Sequence, residues 1–189
     1  VKRDELHKTM QRHEVEEFLK NKGDFVKIDL LTRFMKQHLP TETRRFVCLL
    51  LAELYEERRM FSEAARMYNS AAINTVSFKE QGQHYIDEAL NWIRVGKFTM
   101  ADEAEKKAIV QLNPKERKQI LEQYVNMYRQ QAMVYLKEKR IAHALRVYEK
   151  IITMGISDLE KHEIQEVMLK MYDRLGRIRE YMVLKKSLE

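Results

Sequence analysis

Proline occurs twice and glycine five times among 189 residues. That leaves little of the turn chemistry that strand hairpins need. Alternating Val/Ile/Thr segments are missing too, so a sheet fold is excluded. Cysteine occurs once, at Cys48. A single thiol rules out an intramolecular disulfide framework and points to a reducing, cytoplasmic home. Apolar runs are short. The longest, Phe46 to Ala52, falls well below the roughly 20 residues a spanning helix requires, so no membrane span is expected. The opening residues Val1 to His7 are charged and lack the apolar centre of a signal peptide.

Enzyme signatures are equally sparse. The glycines at 23, 82, 96, 155 and 176 stand singly, so no backbone loop is built to cradle a phosphate. Six histidines form no HExxH motif. His13 with Glu17 and His162 with Glu166 have i, i+4 spacing, which on a helix is ordinary for solvated contacts and insufficient for a metal. Cys48 lies within Phe46, Val47, Leu49, Leu50 and Leu51, the setting of an inert buried thiol rather than a nucleophile. No catalytic constellation, metal site or cofactor is expected, and the chain reads as a non-enzyme.

What is abundant is helix-forming chemistry: Leu, Met, Ala, Glu, Lys, Arg and Gln dominate, and the fold class is all-α. The segment "AELYEERRMFSEAARMYNSAA", residues 52–72, sets a pattern of Ala52, Tyr55, Phe61, Ala64, Tyr68 and Ala71. These offsets of three and four place residues on one helical face, with a break near Arg58. The pattern recurs as Ala89, Trp92, Gly96, Phe98, Ala101 and Ala108, and again as Ala132, Tyr135, Ile141, Ala144, Tyr148 and Ile151. A weaker copy holds Tyr172, Gly176, Ile178 and Leu188, with Tyr181 where alanine is expected. Another, upstream, holds Leu19, Gly23, Phe25, Ile28 and Met35. The equivalent positions Leu19, Tyr55, Trp92, Tyr135 and Tyr172 lie 36, 37, 43 and 37 residues apart.

Caps place the boundaries independently. Ser77–Glu80 and Ser157–Glu160 are capping boxes. Asn113 and Pro114 suit a helix start, and Thr41 after Pro40 does the same. The units are 4–40, 41–76, 77–113, 114–156 and 157–189, read as one continuous domain over 1–189. The long 43-residue interval is explained by a helix from Pro114 to about Glu138, roughly two turns longer than its counterparts, with Tyr124, Tyr128, Ala132 and Tyr135 on its apolar stripe.

These residues resemble the tetratricopeptide repeat, a helix–turn–helix of about 34 residues. The longer intervals lean toward its longer-helix relatives, of the soluble NSF-attachment-protein type. The resemblance implies a right-handed α-solenoid of about five hairpins, a scaffold or adaptor whose first helices line a concave groove. It carries groove roles onto Leu49, Ile86 and Arg129 at one motif position and onto Glu53, Leu90, Met133 and Lys170 at another. Leu49, Ile86, Leu90 and Met133 make an apolar strip, acidic at the Glu53 end and basic at Arg129 and Lys170. Such a strip suits a partner's helix or peptide, or further repeats of a longer chain.

Charge offers an alternative partner. The net charge is +6, and residues 115–150 hold nine Lys/Arg against four Asp/Glu. Lys137, Lys139, Arg140 and Arg146 form a basic patch that nucleic acid would also satisfy. Tyr124, Tyr128 and Tyr135 fit the core stripe and are not spared for stacking on bases.

Overall fold

The computed structural model describes residues 5–188. Among them are ten helices and no strand: α1 (Arg12–Leu19), α2 (Asp24–Met35), α3 (Thr41–Glu57), α4 (Phe61–Ile73), α5 (Phe78–Arg94), α6 (Phe98–Val110), α7 (Pro114–Lys137), α8 (Ile141–Ile152), α9 (Asp158–Arg174) and α10 (Ile178–Leu188). The helices fall in five consecutive pairs whose boundaries follow the sequence units. Among the described residues no helix is long and apolar enough to cross a membrane. Contacts gather into two compact units that divide between Asn113 and Pro114.

The two serine caps act where the sequence places them, whereas α3 starts after Pro40 with no side-chain cap from Thr41. Ser157 Oγ accepts from Glu160 N–H at 3.3 Å, and Glu160 Oε2 accepts from Ser157 N–H at 3.2 Å, closing a reciprocal box at the start of α9. Ser77 Oγ accepts from Glu80 N–H at 3.5 Å at the start of α5. Helix α7 begins at Pro114 and runs for 24 residues, against 17 for each of α3, α5 and α9, the two extra turns expected.

The turn inside each of the last four pairs repeats closely. Arg59, Gly96, Lys139 and Gly176 adopt left-handed φ angles of 58°, 73°, 60° and 67°. They stand 37, 43 and 37 residues apart, the repeat intervals. Across these turns the N–H groups of Met60, Lys97, Arg140 and Arg177 donate to the carbonyls of Tyr55, Trp92, Tyr135 and Tyr172 at 2.8–3.0 Å. The left-handed residues themselves donate to Glu56, Ile93, Leu136 and Asp173. This pair of bonds is the Schellman motif, which satisfies the last carbonyls of the first helix and turns the chain into the second. The recurring aromatic therefore sits at a fixed backbone position. The first turn differs: Gly23 has φ −68° and caps α2 from an extended conformation.

In the first unit α2, α3, α4, α5 and α6 pack successively, each on the next. Ala52, Ala64, Ala89 and Ala101 are fully buried, and such small side chains let helix axes come close. Leu6, Met10, Val15, Leu19, Leu31, Phe34, Val47 and Leu51 form a core between the first pair and α3. Cys48 is buried there, 4.0 Å from Met35 Sδ. Burial pushes its thiol up to about 11, so it stays protonated and unreactive at neutral pH.

Polar bonds between pairs in the first unit also follow the repeat. Arg58 Nε donates to Asp24 at 3.0 Å, Asn91 and Arg94 donate to Glu56 at 2.7 and 2.6 Å, and Lys107 donates to Asn69 at 3.4 Å. Each joins residues 34 to 38 apart, close to one unit.

In the second unit α7 packs on α8, α8 on α9 and α9 on α10. Tyr124, Tyr128, Ala132 and Tyr135 are buried along α7, with Ala144, Leu145, Val147 and Ile151 buried on α8. Helix α10 buries no residue. Tyr181 replaces the small residue that lets the other second helices approach.

Candidate functional site

Helix α3 has two apolar faces. Val47, Cys48, Leu51 and Ala52 are buried. On the opposite face Phe46, Leu49, Leu50 and Glu53 follow i, i+3, i+4, i+7 spacing, one continuous stripe. The three apolar members are half-buried and Glu53 is exposed.

That stripe floors a groove of about 750 Å³, walled by Lys8–Arg12 on one side and by Glu80 and His84 of α5 on the other. Arg12 stacks over the Phe46 ring at 4.8 Å and pairs with Glu16 at 3.0 Å. Arg45 bridges the floor and the far wall, reaching Glu42 at 3.0 Å and Glu80 at 2.7 Å. Glu80, whose N–H takes part in the Ser77 cap of α5, is also the anchor of the wall. His84 Nδ1 is buried without a partner, and burial, then the Arg45 charge, lowers the imidazole below its ordinary range. The ring is neutral at pH 7.

Leu50 and Glu53 also line a second cavity, of about 260 Å³, with Leu19, Leu31, Leu54 and Glu57. Leu50 and Glu53 thus line both cavities.

The residues expected to bind divide as follows. Leu49 and Glu53 line the groove. Ile86 does not: it is 1% exposed, because α5 is covered by α4 on one side and α6 on the other and the Ile86 face is consumed by that packing. Its assignment to a binding strip is corrected to core. Leu90 is half-buried. Arg129, Met133 and Lys170 belong to the second unit, where Met133 is 57% exposed and Lys170 is exposed. Arg129 lines a cleft of about 410 Å³ between α7 and the start of α9, and its guanidinium donates to Glu160 at 3.0 Å. That contact echoes Arg45 with Glu80, since Glu160 likewise takes part in a serine cap.

In the basic patch Lys137, Lys139, Arg140 and Arg146 are all exposed. Lys139 occupies a left-handed turn position, and Arg140 stacks over Tyr135 at 4.6 Å and donates to Glu138 at 3.1 Å. Two of the four are thus tied to the turn.

Sequence reading missed Phe46, Arg45, His84 and Glu80. Phe46 and Leu50 were visible as extensions of the Leu49 stripe. Arg45 and Glu80 stand 35 residues apart, near one repeat, the spacing at which adjacent pairs meet.

A buried polar cluster runs along α5. Asn91 is fully buried, its amide donating to Glu56 and to the Asp87 carbonyl. Burial raises Asp87 to about 6. Glu88 accepts from Trp92 Nε1 at 3.2 Å while its Oε2 has no partner, and burial raises its pKa. These acids face helix neighbours rather than a substrate-sized opening. Among the described residues no group of three His, Cys, Asp or Glu is placed to hold a metal; His162 and Glu166 meet at 3.7 Å on an exposed face. No protein-family model matches the chain, and no curated protein matches it.

Proposed function

We propose that the chain is a non-enzymatic interaction scaffold of tetratricopeptide-like repeats, a right-handed α-solenoid working in the cytoplasm, that takes a helix or peptide of another protein. The repeated Schellman turns and the one-repeat spacing of the inter-pair hydrogen bonds support the repeat reading. The groove on α3 carries the functional one. Three large apolar side chains, Phe46, Leu49 and Leu50, half-buried and packed at the edge of the core clusters, line a groove of about 750 Å³. Apolar side chains framed by charged walls are the form of a helix-in-groove site. Leu49 and Glu53 are its central contacts.

The exposed Lys137, Lys139, Arg140 and Arg146 carry the second reading, a nucleic-acid-binding repeat. Salt separates the two. Phosphate contacts give a steep fall of log K with log salt, about 0.9 for each phosphate neutralised on a duplex, whereas apolar contact gives a shallow one. Affinity capture from native extract, with nuclease and across a salt series, is the test. Protein retained after nuclease at high salt supports the scaffold; loss of all captured material on nuclease treatment overturns it.

A further inference from the structure

The C-terminal half of α3 is electrostatically misplaced. Glu53, Glu56 and Glu57 crowd the end of a helix whose last turn holds no basic residue, where the macrodipole disfavours anions. Glu53 and Glu57 are four apart, so their like charges also repel along one face. Glu56 is paired with Arg94 and accepts a hydrogen bond from the Asn91 amide. Glu53 and Glu57 are exposed and line the second cavity with Leu50 and Leu54, and Glu53 also lines the groove. The lysines of the opposite wall are engaged elsewhere, Lys20 with Glu17 at 3.6 Å and Lys27 with Asp24 at 3.9 Å, and Glu16 is taken by Arg12. Two carboxylates one turn apart, beside an apolar floor, thus make no ion pair among the described residues, although Lys20 and Lys27 line the same cavity.

We propose that the occupant of the groove is an amphipathic helix bearing two basic residues one turn apart at the end that lies against Glu53 and Glu57, with its apolar face on Phe46, Leu49 and Leu50. The proposal rests on the groove reading above and adds the partner's charge pattern and polarity. Lysine or arginine at that end would relieve both the Glu53–Glu57 repulsion and the unfavourable dipole placement. The same position repels an acidic helix, which gives specificity as well as attraction.

A displayed library of helical peptides tests it, with leucine fixed at i, i+3, i+4 and i+7 and all flanking positions randomised, selected on the whole chain. Selected peptides are expected to carry Lys or Arg in pairs four apart at one end, and to lose binding at least about threefold on E53Q/E57Q, the scale of two exposed charge pairs. Selection on E53K/E57K should enrich Asp and Glu at that end instead. Both positions are exposed, and an unchanged circular dichroism spectrum and melting profile verify folding of each variant. Binders without a charge bias, or a basic bias that persists on E53K/E57K, overturn the proposal while leaving the groove reading standing, provided L49E abolishes their binding. A library that yields no binder overturns both.

Discussion

Arg94 reaches back from α5 to the Glu56 carboxylate on α3, its Nη1 donating to Oε1 over 2.6 Å. Tyr68 OH donates to the other oxygen at 3.2 Å, and the buried Asn91 amide donates at 2.7 Å. One carboxylate thus ties three successive helices of the first unit. Glu56→Ala leaves the Asn91 amide buried without this acceptor, at a cost of about 2 kcal/mol. Glu57→Ala, one residue on but exposed, should change stability by less than about 0.5 kcal/mol. Urea denaturation of the two variants measures the contrast; equal effects would mean the Glu56 bonds add nothing to the fold.

The left-handed turns give a prediction of opposite sign. Arg59 and Lys139 hold positive φ, which costs a residue with a Cβ about 1–2 kcal/mol, partly offset by glycine's greater entropy loss. Arg59→Gly and Lys139→Gly should each stabilise by about 0.5–1 kcal/mol, and Gly176→Ala, at φ 67° with open space around it, should destabilise by about 1 kcal/mol. Chemical denaturation midpoints decide. A destabilised Lys139→Gly would contradict the equivalence of the turns.

Close helix approach at Ala101, which is 1% exposed, leaves no room for growth. Ala101→Leu should overpack the α5–α6 pair by about 1–3 kcal/mol. Ala144→Leu should do the same in the second unit, where Ala144 holds the equivalent place. Thermal unfolding that matches the parent would show that the register of small residues is wrong.

Asp87 links stability to pH. Its folded pKa is raised from the usual carboxylate value to about 6, chiefly by burial and then by the Glu56 charge, against the Gln83 hydrogen bond and Arg94. The folded state therefore holds this proton more tightly than the unfolded chain. The stabilising contribution is complete below about pH 4 and is lost as pH rises through about 6. Asp87→Asn should stabilise by about 1–2 kcal/mol at pH 7.5 and by almost nothing at pH 4. A gain independent of pH would contradict a buried, titrating Asp87.

The pair boundaries were legible because their determinants are local: a serine with glutamate three residues on, a proline at the first helical position, a left-handed turn just after the recurring aromatic. Alanines at fixed offsets likewise announced which faces approach. The site was only partly legible. Leu49 and Ile86 hold the same repeat position, yet one lines the groove and the other is core, because α5 packs closely on both α4 and α6 whereas α3 packs closely on α4 and only loosely on α2. No local signal marks that difference. The polar cluster of α5 was invisible for the same reason: Asn91 finds its acceptor in Glu56, distant in sequence, and the shifts of Asp87 and His84 come first from burial by the packed helices. Arg129 was placed as a groove cation, and its ion pair with the cap residue Glu160 was beyond any helical periodicity.

The most direct test of the account is capture of protein from nuclease-treated native extract, compared among the parent chain, Leu49→Glu, and the quadruple reversal of Lys137, Lys139, Arg140 and Arg146 to Glu, each verified as folded by circular dichroism and cooperative melting. The account predicts that Leu49→Glu loses a protein which the parent retains, and that the quadruple variant keeps it. Undiminished capture by Leu49→Glu, with loss on the quadruple variant, would contradict the groove and move the function to the basic patch.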